Sequence, residues 1–162
     1  MEAGPAARHN GAMSNVAHED LMRRAIALSV ESVAAGGGPF GCVVARAGVV
    51  VATGTNRVTL DQDPTAHAEV VAVRAACAAL HRFDLRGCEV YTSCEPCPMC
   101  LAALWWARVD RVHYGNTRAD AAAIGFDDAR IYDELTRPVE DRKMPLFPLL
   151  RTEALAAFEA WS

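Results

Sequence analysis

Four side chains of this sequence have the types and spacing to do chemistry together: His67, Glu69, Cys97 and Cys100. The first two lie in Pro64-Thr65-Ala66-His67-Ala68-Glu69, the last two in Cys94-Glu95-Pro96-Cys97-Pro98-Met99-Cys100. One imidazole and two thiolates make three ligands of a tetrahedral zinc and leave a fourth position for water. Zinc lowers the pKa of bound water towards neutrality, which yields hydroxide as a nucleophile. Glu69, two residues from the imidazole, is placed to take the water proton and pass it on. The competing reading is a closed zinc site that only stabilises the fold. Such sites use four protein ligands and carry no acid/base group beside the metal. Cys94 could supply a fourth ligand, but an added thiolate would close the position that a catalytic metal keeps open.

Local elements must bring these residues together. Asp63 as cap and Pro64 at the first helical position open a helix to about His81, with His67 and Glu69 in its first turns. His81 at its far end reads as a C-terminal cap. Pro96 opens a second helix to about Arg108, with Cys97 and Cys100 on one face of its first turn. A helix N-terminus favours thiolates. Both helices therefore present their positive ends to one metal.

The remaining pattern supplies a sheet. Phe40–Ala45 and Val49–Thr53 are β-branched runs, with Arg46-Ala47-Gly48 as the hairpin turn between them. Cys88–Ser93 and Val109–Gly115 are further strands, and Lys143–Leu150 is expected as an edge strand despite Pro145 and Pro148. Near-helical spacing marks Ala17–Ala35, stopped by Gly36-Gly37-Gly38-Pro39. Arg118–Leu135 reads as mostly helical or irregular, and Thr152–Trp161 as a short amphipathic helix. Strands alternating with helices make an α/β layered domain over residues 16–162, preceded by a flexible tail over 1–15.

Composition narrows the function classes. At 162 residues the chain fits one domain with a sizeable core. No apolar run reaches the roughly 18 residues of a membrane span, and the N-terminus lacks the apolar segment of a secretory signal. The expected compartment is the cytoplasm. The net charge is −4 and Lys143 is the one lysine, which argues against a nucleic-acid partner. Of the six cysteines, Cys42, Cys77 and Cys88 lie in apolar surroundings and read as core residues. His18 reads as a solvated side chain, and His113 as a core or surface residue outside the ligand set.

The pattern H-x-E followed by P-C-x-x-C is the zinc deaminase signature. On these residues the chain resembles the cytidine deaminase-like superfamily over nearly its whole length. That resemblance implies a three-layer α/β fold, a five-stranded mixed sheet between helices, with Zn2+ at two helix N-termini. Tyr91-Thr92-Ser93-Cys94-Glu95-Pro96-Cys97-Pro98-Met99-Cys100-Leu101, Trp106-Ala107-Arg108, Gly125-Phe126-Asp127-Asp128, Ile131-Tyr132, and Thr152-Glu153 with Phe158 and Ala160-Trp161 look like the bacterial guanine deaminases. The activity this implies is hydrolysis of guanine to xanthine and ammonia. The implied substrate contacts are Phe40, Asn56, Ala68, Trp106, Asp128 and Glu134. Asn56 would hydrogen-bond the purine, Phe40 and Trp106 would wall it, and Asp128 and Glu134 would hold its amino edge or move protons. On composition alone Phe40 and Trp106 could equally be core residues, Asp128 a helix cap and Glu134 part of a solvated face. The resemblance further implies a homodimer with an exchanged C-terminal segment. The chain stops at Trp161-Ser162, short of the aromatic-ended tail of a relative, so the range is expected to widen or shift, for example towards guanosine or ammeline; cytosine is a further alternative substrate. A tRNA adenosine deaminase is the remaining alternative.

Overall fold

The computed structural model describes residues 13–126 and 128–161. Residues 1–12, which hold most of the expected tail, lie outside the described residues. The elements in order are α1 (Asn15–Ala34), β1 (Gly41–Arg46), β2 (Val49–Thr55), α2 (Val58–Asp61), α3 (Ala68–Leu80), β3 (Cys88–Cys94), α4 (Pro98–Ala107), β4 (Arg111–Asn116), α5 (Arg118–Ala123), α6 (Ala129–Thr136), a 3-10 turn (Val139–Asp141) and α7 (Arg151–Trp161). The chain divides after position 127 into two compact units.

The first unit is built on a sheet of order β2-β1-β3-β4. β1 runs antiparallel to β2 and β3, and β4 is parallel to β3. Ala47 and Gly48 both take positive φ, 49° and 79°, so the β1–β2 turn matches the right-handed twist of the strands it joins. The β3–α4–β4 crossover is the usual parallel unit. Val43, Ala45 and Tyr91 turn to one face, where Leu21 and Ala25 of α1 cover them. Cys42, Val44 and Val90 turn to the other, under Ala68, Ala72 and Ala76 of α3 and Leu104 and Ala107 of α4. The first five residues of β1 are buried, because helices cover both faces. Each buried Val contributes about 1.5–3 kcal/mol.

Close approach sets the position of α3. A Cβ on Gly54 would lie 2.2 Å from the Ala68 carbonyl oxygen and 2.7 Å from the Ala72 nitrogen. Any side chain on β2 there would push the start of α3 off the sheet, and His67 with it.

Ser14 caps α1, its hydroxyl accepting from the Ala17 N–H. His81 closes α3 at left-handed φ 51°, the capping position expected for it. His18 departs from the expectation of a solvated side chain. Its Nδ1 lies 2.7 Å from the Tyr91 hydroxyl, and its ring is 4.9 Å from that of His113.

The second unit carries α6, the 3-10 turn and α7, the last in the place of the expected C-terminal helix. The edge strand expected over Lys143–Leu150 does not form, and those residues are irregular. Pro145 and Pro148 offer no N–H to a ladder, so the segment cannot pair along its length. The sheet among the described residues therefore has four strands where five were expected, within the same mixed α/β arrangement.

Candidate active site

Both metal-binding stretches start their helices later than the expected boundaries. Asp63 Oδ1 accepts from the Thr65 N–H at 2.8 Å and from its hydroxyl at 2.7 Å. Ala66 and His67 then donate to the Asp63 and Thr65 carbonyls, three and two residues back. This turn uses up Pro64–Ala66, and α3 begins only at Ala68 with His67 as its extended N-cap, ψ 154°. The second motif repeats the solution. Cys97 is the extended N-cap of α4, ψ 167°, Pro98 follows at the first helical position, and Cys100 sits one turn in. At an N-cap the backbone carbonyl already starts the helix, here to Val71 and Leu101, while the side chain stays outside it. His67 and Cys97 thereby face each other across two positive helix ends.

His67 Nδ1 lies 3.6 Å from Cys97 Sγ and 3.5 Å from Cys100 Sγ. A tetrahedral zinc with Zn–S of ~2.3 Å and Zn–N of ~2.0 Å needs S–N edges of about 3.5 Å. The three donors fit zinc on that test. Their electrostatics agree. A hydrogen bond from the Cys100 thiol, with His67 on its other side, pushes Cys97 down to about 4 against the cost of burial. The same contact and burial push Cys100 up. Metal binding requires both sulfurs as thiolates, so a dication would displace whatever proton the pair holds. The Cys97 thiolate also raises His67 above its ordinary value, with burial opposing.

Glu69 enters the same site from the first turn of α3 and is only 6% exposed. Its Oε2 accepts from Cys100 Sγ at 3.4 Å, and its Oε1 from the Thr92 hydroxyl at 3.2 Å. Burial raises this carboxyl above its ordinary value, against the hydrogen bonds from its own backbone, Cys100 and Thr92. A raised carboxyl beside the three donors is suited to taking up and giving back a proton. Cys94 stays apart from the ligands. Its thiol donates to the Thr117 carbonyl at 3.6 Å.

Asn56 is buried and held by two N–H donors, from Gly38 at 3.4 Å and Val58 at 3.3 Å, both to Oδ1. Phe40 packs edge-on against Phe126, with ring centroids 4.9 Å apart. Ala68 is fully buried beside the ligand. Trp106 lies on α4 and is 82% exposed. Asp128 and Glu134 belong to the second unit. There Asp128 is the N-cap residue of α6. The Glu134 carboxylate accepts from the Lys143 N–H at 2.7 Å and pairs with Arg137 at 3.4 Å. Thr92, which holds Glu69, and Phe126, which packs on Phe40, are not among the residues the sequence singles out for the site. Alternation along β3 is the signal that points to Thr92.

Residues 15–116 match the cytidine and deoxycytidylate deaminase zinc-binding region. The guanine deaminase of Bacillus subtilis is 50% identical over 145 residues, which cover 89% of this chain and 93% of that protein. Its crystal structure superposes with a TM-score of 0.86 over 89% of this chain and 92% of that one. The structure of a guanine deaminase from Nitrosomonas europaea is 33% identical with a TM-score of 0.66, covering 86% of this chain and 71% of that one. A tRNA-specific adenosine deaminase of Agrobacterium fabrum is 44% identical, over 53% of this chain and 57% of that protein.

Proposed function

The chain belongs to the cytidine and deoxycytidylate deaminase zinc-binding family, and from that premise we propose that it hydrolyses guanine to xanthine and ammonia. The observation that carries the reaction class is the Glu69 carboxylate, buried and hydrogen-bonded beside three zinc-fitting donors. The choice of guanine rests on the 50% identity to a guanine deaminase across nine-tenths of the chain.

His67, Cys97 and Cys100 hold the metal. Zinc, when bound, supplies a Lewis acid that makes water a nucleophile at neutral pH. Glu69 takes one proton from the water and hands it to a ring nitrogen of the purine, then takes the second from the hydroxyl now on the ring carbon and gives it to the amine, which leaves as ammonia. Thr92 holds Oε1 throughout, which fixes the carboxylate for each transfer. Phe40, with Phe126 packed edge-on against it, offers an apolar surface to a ring. Asn56 has its Oδ1 engaged by backbone donors and offers its amide N–H to the purine. Ala68, Trp106, Asp128 and Glu134 complete the proposed set of substrate contacts.

A homodimer in the cytoplasm completes the reading. Among the described residues no helix is long and apolar enough to cross a membrane. Leu101, Trp105 and Trp106 leave an apolar strip on α4 that a second copy would cover.

The decisive assay follows ammonia release from guanine, guanosine, cytosine, cytidine, adenine and ammeline. Guanine is expected to turn over fastest. Turnover of cytosine with guanine untouched overturns the assignment. The tRNA reading is favoured by the Agrobacterium relative, and salt-sensitive tRNA binding would support it. The net charge of −4 counts against it.

A further inference from the structure

A second group of metal-binding side chains lies on the sheet face away from Glu69. His18 comes from α1, Glu89 from β3 and His113 from β4. We propose that His18, Glu89 and His113 form a second site for a divalent transition-metal ion such as zinc. One ligand atom from each lies within 4.8 Å of the other two. Glu89 Oε2 is 2.8 Å from His113 Nε2 and 3.8 Å from His18 Nδ1. These distances straddle the edge of about 3.3 Å that ~2.0 Å bonds to nitrogen and oxygen demand of a tetrahedron. Two imidazoles and a carboxylate suit zinc and its neighbours in the first transition row, and suit magnesium or calcium poorly.

The surroundings orient these ligands. Tyr91 stacks on His113 with centroids 4.6 Å apart and planes within 9° of parallel. The Tyr91 hydroxyl reaches His18 Nδ1 at 2.7 Å and donates to Glu89 Oε2 at 3.2 Å. The hydroxyl touches the same two atoms that would bind the ion, so on metal binding it gives them up or joins them as a further oxygen ligand. Glu89 supplies the one carboxylate among the three ligands. Arg111 opposes a cation with its Nη1 3.9 Å from Glu89 Oε1, yet its side chain is 69% exposed and its charge is largely screened. The ligands are about one-quarter to one-third exposed, so an ion can reach them from solvent.

The test titrates full-length protein carrying one equivalent of zinc with further Zn2+. Calorimetry and elemental mass spectrometry read the stoichiometry. Wild type is expected to take a second equivalent, and the double variant His18→Gln/His113→Gln to lose it while keeping the first. A Co2+ titration reads the ligand type, since the second equivalent should add a visible band without the thiolate charge-transfer absorption of a cysteine site. In wild type, the side-chain nitrogen resonances of His18 and His113 should shift with the second equivalent. A wild type that saturates at one equivalent overturns the proposal. So does a second equivalent that survives in the double variant. Histidine resonances that stay in place at saturating zinc overturn it even if the variants fail to fold.

Discussion

Two clusters of histidine and carboxylate lie back to back on β3, and burial separates their chemistry. On the face under α3 and α4, Thr92 reaches Glu69, which is 6% exposed and raised by burial. On the face under α1, Tyr91 reaches Glu89, whose side chain is 23% exposed and which its neighbours hold below its ordinary value. A carboxyl that is costly to ionise is ready to carry protons, whereas one kept ionised is ready to bind cations. The contrast lies in what each strand residue hands its carboxylate to. Thr92 turns it towards two thiols and a helix end. Tyr91 turns it towards two imidazoles.

Removing the metal should break the first cluster most completely. Chelation is expected to abolish ammonia release, with zinc restoring it, as measured by steady-state assay before and after dialysis. Replacing Glu69 by Gln keeps the shape and removes the proton carrier. It should lower kcat by about 10²–10⁴-fold, while elemental analysis finds unchanged zinc. Thr92→Val removes only the hydroxyl that holds Glu69 Oε1. A loss of roughly tenfold in kcat, about 1.4 kcal/mol, with KM held, marks it as a positioning residue. An equal loss in kcat/KM through KM alone would place it with the substrate instead.

The second cluster should respond in stability. Glu89→Gln weakens the contacts with His113 and Tyr91, at an expected cost of about 1 kcal/mol by denaturant melts near pH 6. The sign of the pH effect follows from the direction of the shift. Glu89 lies below its ordinary value of 4.5, so its stabilisation is complete above 4.5 and is lost as pH falls through the folded-state value. The gap between wild type and variant should therefore close in more acidic melts. A gap that widens there would assign the stabilisation to another group.

The two clusters also differ in how far they could be read from the sequence. His67 with Glu69, and Cys97 with Cys100, are local pairs whose spacing alone implies a shared metal. α3 starts later than the sequence suggests because Asp63 spends its carboxylate on Thr65, which puts a turn where a helix seemed to begin. The α1 face offered no such spacing. His18 and Tyr91 are 73 positions apart, and His113 meets Glu89 only through the parallel register of β3 and β4. The layered fold followed from the alternation of patterns, and the one strand that failed was the one with two prolines.

The alternation of β3 has a consequence for how such a chain can change over time. Inserting or deleting one residue within Glu89–Thr92 would turn every later side chain over, sending an aromatic ring towards the thiols and a small hydroxyl towards α1. Both clusters would be lost in one event. The strand can therefore vary by substitution at fixed length, each face drifting separately from the other. Changes of length belong in the turns, such as Ala47-Gly48, where the partners on either side keep their register.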